Sequence, residues 1–69
     1  MIHNDNRMMI RAVRAIRALA PRGIPFDMMD IFKYRFEFDF DGDTLMSALR
    51  NLCRSGEISK TEKGYLRVR

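Results

Sequence analysis

Sixty-nine residues leave room for one small domain with a thin core, burying only about 60% of the unfolded surface. A hydrophobic fraction of 46% beside a charged fraction of 32% sets aside a disordered chain, and a net charge of +4 favours a polyanionic partner, nucleic acid first. No apolar run nears the roughly 20 residues that span a bilayer, the first residues lack the features of a signal peptide, and one cysteine, Cys53, excludes an internal disulfide framework; a reducing cytoplasm is the expected setting.

Residues 1–6 are polar and read as a disordered tail in which Asn4, Asp5 or Asn6 can cap a helix. Over 7–20 the apolar residues Met8, Met9, Ala12, Val13, Ile16, Leu19 and Ala20 share one face at 100° per residue. Arg7, Arg11, Arg14 and Arg17 lie around the other face, which predicts an amphipathic helix. Pro21 and Gly23 end it. Ile24, Pro25 and Phe26 then form a short apolar bridge. Pro25 suits the first turn of a second helix over about 25–34, with Met28, Met29, Ile31 and Phe32 on its apolar side and Asp27 and Asp30 near its start.

Phe36-Glu37-Phe38-Asp39-Phe40-Asp41 alternates strictly between aromatic and acidic side chains. Period 2 predicts an extended segment with one buried face, although the second helix could also run on through Arg35 and Phe36. Asp41-Gly42-Asp43-Thr44 is a turn and a helix start, with Asp41 or Asp43 as the cap. The third helix spans 44–55. Leu45, Met46, Ala48, Leu49, Leu52 and Cys53 make its apolar face; Asp43, Ser47, Arg50, Asn51 and Arg54 lie on the other. Gly56 closes it. Two strands, 57–60 and 65–69, flank a hairpin loop at 61–64, with Ile58, Leu66 and Val68 directed at the core. The fold class is therefore α+β, mainly α.

Charge is uneven along the chain. Residues 1–26 hold five arginines against Asp5, and 44–69 hold four arginines and two lysines against Glu57 and Glu62. Between them, 27–43 sets Lys33 and Arg35 against six carboxylates. Ten of the thirteen cations are arginine, whose planar fork suits phosphate and base edges.

Three helices followed by a hairpin, together with Thr44-Leu45-Met46-Ser47-Ala48-Leu49-Arg50-Asn51-Leu52-Cys53-Arg54-Ser55-Gly56-Glu57-Ile58, resemble the winged helix-turn-helix superfamily. The segment is similar to that superfamily's recognition helix: apolar pairs one turn apart, then a Gly-x-Ile entry into the wing. Lys60 to Gly64 and Tyr65-Leu66-Arg67-Val68 look like the wing and its return strand. The resemblance covers residues 7–69 as a single domain, and the small size looks like that of bacterial or phage regulators. It implies a three-helix winged helix that binds double-stranded DNA, the third helix in the major groove and the hairpin on the backbone or minor groove. Ser47, Arg50, Asn51 and Arg54 would then face the DNA, with Arg50 pairing to guanine and Asn51 to adenine. Lys60, Lys63 and Arg67 would supply the wing and phosphate contacts. A homodimer is one route to sufficient affinity. The sequence departs from the superfamily in its long acidic link over 36–43, where a short turn is usual.

No catalytic chemistry is legible. His3 has no Cys, Asp or Ser partner at useful spacing, and no nucleophile–base pair or phosphate-cradling glycine loop occurs. An acidic calcium loop begun at Asp39 would need glycine sixth and glutamate twelfth; Thr44 and Arg50 stand there. No enzyme activity, cofactor or metal is expected. The competing expectation is a protein-interaction module on the same fold, using 36–43 with Phe36, Phe38 and Phe40 as its contact.

Overall fold

The computed structural model describes residues 6–69. Its elements run α1 (Asn6–Leu19), α2 (Met28–Phe32), α3 (Arg35–Phe38), α4 (Gly42–Arg54), β1 (Ile58–Lys60) and β2 (Tyr65–Arg67). The fold is α+β and mainly helical, with a C-terminal antiparallel hairpin pairing Ile58 with Arg67, Ser59 with Leu66 and Lys60 with Tyr65. The expected tail, with His3, Asn4 and Asp5, lies outside the described residues except for Asn6, which opens α1.

α1 and α4 build the body. Ala12, Ala15 and Ile16 of α1 and Ala20 just beyond its end are buried, as are Leu45, Ala48, Leu49 and Leu52 of α4. Ala12, Ala15 and Ala48, each with only a methyl group, take part in the same buried cluster. Phe26, Ile31, Phe40 and Ile58 close the core from the remaining segments, and the described residues bury no polar or charged side chain.

The second and third elements differ from the expected single helix over 25–34, so the described chain has four helices, not three. Pro25 is not helical. Asp27 is the cap instead: its carboxylate accepts the Asp30 amide at 3.1 Å, and the Asp30 carboxylate accepts the Asp27 amide at 3.0 Å. This reciprocal capping box holds a helix of only five residues.

The extended reading of residues 36–41 is overturned. Arg35–Phe38 is a single helical turn, closed by Asp39 in the left-handed region at φ 65°. An extended strand there would need a partner for its backbone, and none is adjacent. The backbone bonds to itself: the Phe38 amide donates to Tyr34 O at 3.2 Å and the Asp39 amide to Arg35 O at 2.7 Å. The three phenylalanines therefore lose their common face. Phe40 is buried, Phe38 is half-buried and Phe36 is 81% exposed.

α4 starts two residues before the expected 44. Asp41 caps it, its carboxylate accepting the Thr44 amide at 2.8 Å. Gly42 lets the start of α4 pass the Phe32 ring, which a Cβ would meet at 3.2 Å.

The hairpin shows a second difference. Ile58 is buried as expected, but Leu66 is half-buried and Val68 is 49% exposed. Alternation puts Tyr65 and Arg67 on the inward side with Ile58, and turns Leu66 and Val68 outward. Tyr65 stacks on Phe26 with ring centroids 5.7 Å apart. The apolar bridge over 24–26 also does more than connect. The Gly23 amide donates to Arg67 O at 3.0 Å, the Phe26 amide to Tyr65 O at 2.8 Å, and the Tyr65 amide to Phe26 O at 2.7 Å. β2 is thus paired along both edges, by β1 and by the segment 22–26.

A charged clasp fastens the hairpin to α1. Arg17 donates Nε and Nη2 to the two carboxylate oxygens of Glu57, each at 2.9 Å. This fork holds the Glu57 carboxyl below the ordinary glutamate range, with Arg67 and Arg69 nearby adding to the effect, and raises the Arg17 guanidinium further. A lowered folded-state pKa means that the clasp stabilises the protein above the unfolded value of about 4.3 and is lost as pH falls through the folded value. Glu57→Gln should therefore lose about 1 kcal/mol at neutral pH and close the gap to wild type as acid is added below about pH 4.3. Urea unfolding at a series of pH values checks this; a gap constant from neutral pH to pH 3, about one unit below that reference, means the ion pair contributes nothing.

Candidate nucleic-acid interface

α4 is held to the core by Leu45, Ala48, Leu49 and Leu52, which fixes what its other side presents. Asp43, Ser47, Arg50 and Arg54 recur at i, i+4, i+7 and i+11 and form one row along the outer face. Asp43, Arg50 and Arg54 are exposed and Ser47 is half-buried. Met46, half exposed, flanks the row on one side. Asn51 flanks it on the other, its amide 3.9 Å from Met9 Sδ of α1. Among the described residues neither Arg50 nor Arg54 has an ion-pair or hydrogen-bond partner for its guanidinium.

The hairpin presents Lys60 and Lys63, both exposed. Lys60 Nζ lies 4.8 Å from the Tyr65 ring centroid, and Lys63 sits in the loop. Arg67 is not part of this surface. Its Nη1 donates to Arg17 O at 2.7 Å and Ala20 O at 3.1 Å, and its Nε to Arg69 O at 2.9 Å. It closes the C-terminal carbonyls of α1, a structural role that removes it from the wing set. Arg69 does the same for α4, donating to Ser55 O at 2.6 Å.

The acidic link dissolves into local tasks. Asp41 starts α4, as Asp27 and Asp30 upstream of the link start α2, and the Thr44 amide holds the Asp41 carboxyl below its ordinary range. Asp39 faces Arg11, whose Nη2 lies 3.6 Å from its carboxylate and whose Nε donates to its carbonyl at 2.7 Å. Glu37 and Asp43 remain without a partner among the described residues, and only Asp43 stands on the outer face of α4. The arginine stripe of α1 is likewise half consumed: Arg11 and Arg17 serve the fold, while Arg7 and Arg14 are exposed.

No family model, curated protein or solved structure matches the chain. Among the described residues no group of His, Cys, Asp or Glu could hold a metal ion, and no helix is long and apolar enough to cross a membrane. Cys53 is half-buried on α4. What the surface offers is charge and hydrogen-bonding capacity on a rigid helix: two free guanidiniums, a hydroxyl and a carboxylate in one row.

Proposed function

We propose that this chain is a winged-helix DNA-binding protein, a small transcriptional regulator without catalytic activity. α4 reads the major groove through Ser47, Arg50 and Arg54, with Asn51 at the edge of the row, and the hairpin places Lys60 and Lys63 on the phosphates. The observation that carries this reading is the pair of unengaged guanidiniums on the outer face of a helix whose inner face is locked in the core. The fold engages Arg11, Arg17, Arg35, Arg67 and Arg69 through hydrogen bonds; of the arginines it leaves open among the described residues, Arg50 and Arg54 are the two that stand on α4. The pairing of 22–26 with β2 supports it too, because it holds the wing to the body.

Binding to random-sequence duplex DNA at several salt concentrations is the test. Affinity should fall steeply with salt, each phosphate contact contributing about −0.9 to the log–log slope. Arg50→Ala should cost about 1–3 kcal/mol on the preferred site and relax one base position, whereas Lys60→Ala and Lys63→Ala should each flatten the slope by about one. All three positions are exposed, so the fold survives. Absence of duplex binding at low salt, or Arg50→Ala and Arg54→Ala proteins that bind as wild type does, would end the proposal.

A second reading rests on Phe36, an almost fully exposed phenylalanine stacked by the Arg35 guanidinium at 4.5 Å. It is a contact for a protein partner, reduced from the three-residue patch expected of 36–43, since Phe38 and Phe40 pack inward. A partner retained after Phe36→Ser excludes it.

A further inference from the structure

We infer that Asp43 sets specificity on the α4 surface by accepting a hydrogen bond from a cytosine amino group, about three base steps from the guanine read by Arg50. The inference rests on the DNA-binding reading above and adds to it the base composition of the site.

Three observations lead here. Asp43 is spare: the cap of α4 is Asp41, and among the described residues the exposed Asp43 carboxylate has no hydrogen bond or ion pair. It is aligned: it continues the row of Ser47, Arg50 and Arg54 by one turn. It is spaced to matter: seven residues separate it from Arg50, about 10.5 Å along a helix, which matches about three base steps of 3.4 Å.

The chemistry then narrows the target. An ionised carboxylate only accepts hydrogen bonds. The phosphates repel it, and so do guanine N7 and O6 and thymine O4. In the major groove the available donors are the amino groups of cytosine and adenine. Adenine sets its N7 acceptor beside the amino group, where a second carboxylate oxygen would meet it. Cytosine carries only C5–H on the corresponding side of its amino group, so Asp43 selects cytosine. The same negative charge weakens contact with phosphates when no amino group is in reach, so it also suppresses non-specific binding. A carboxylate that served only the positive end of the α4 dipole would change thermal stability and leave base preference alone.

The experiment selects binding sites from a randomised duplex pool with the wild-type chain and with Asp43→Ala and Asp43→Asn, each checked for an unchanged circular dichroism spectrum. Wild type should enrich a site with a cytosine at a fixed position about three base steps from the guanine whose preference Arg50→Ala relaxes. Asp43→Ala should keep the guanine, lose about tenfold discrimination at the cytosine, and bind random duplex more tightly than wild type. Asp43→Asn should move that position towards adenine. The same motif with equal discrimination in all three proteins overturns the role of Asp43 and leaves the DNA-binding reading standing. No duplex binding by the wild-type chain overturns both.

Discussion

Leu49→Ala is expected to remove about 2–5 kcal/mol of folding stability. Leu49 is 1% exposed and lies on the buried face of α4 with Leu45, Ala48 and Leu52. Truncation there leaves a cavity in a core whose Ala12, Ala15, Ala20 and Ala48 have little length with which to fill it. At roughly 0.05–0.15 kcal/mol per residue, a chain of 69 residues has about 3–10 kcal/mol in total, so the variant should lose a large share of its stability. Urea denaturation followed by circular dichroism measures the loss. A change under about 0.5 kcal/mol, the range of an ordinary surface substitution, would mean that α4 does not pack as described. The adjacent Arg50→Ala, on the opposite face, provides the internal contrast, because it should alter binding and leave stability nearly unchanged.

Gly64→Ala is the second substitution with a large expected effect. Gly64 has φ +156° and packs against the backbone of the Phe26–Asp27 junction. An added Cβ would collide with Phe26 O and crowd Asp27 Cα, atoms that cannot rotate aside. Phe26 O is also the acceptor of the Tyr65 amide. Relief of the collision therefore separates β2 from 22–26 and disturbs the Phe26–Tyr65 stack. The expected cost is about 3 kcal/mol, the upper range for forced overpacking. Amide exchange at Gly23, Phe26 and Tyr65 should accelerate in the variant, while the amides in the middle of α4 keep more of their protection. Unchanged protection at Tyr65 would show that the junction tolerates the methyl group.

Long periodic segments were legible in the sequence and short ones were not. α1 and α4 each run three to four turns, so their apolar faces repeat often enough to place them within two residues of the observed ends. The aromatic–acidic alternation at 36–41 failed because period 2 describes side chains and says nothing about where the backbone finds partners. The aspartates in it are there to begin helices and to meet Arg11, tasks visible only when Asp39 turns left-handed and Asp41 becomes a cap. Pro25 hid the pairing of 22–26 with β2, since a residue with no amide hydrogen reads as a break. For the candidate site, the helical spacing identified Ser47, Arg50, Asn51 and Arg54 correctly as lying away from the core. It could not separate Arg67 from Lys60 and Lys63, because a cation directed at a neighbouring helix end and one directed at solvent look alike in one dimension.

The position of β2 has a consequence for how the molecule opens. Its Arg67 side chain holds carbonyls of Arg17 and Ala20, and its backbone is shared between two neighbours, one of them the distant segment 22–26. A nick by a protease in the exposed loop at Glu62 or Lys63 would thus free more than a hairpin tip. It would uncouple the strand on which the end of α1 depends, and the helix would fray from that end. The domain should therefore respond to limited proteolysis as a single cooperative unit, passing from intact to fully digested without a trimmed, still folded helical remnant.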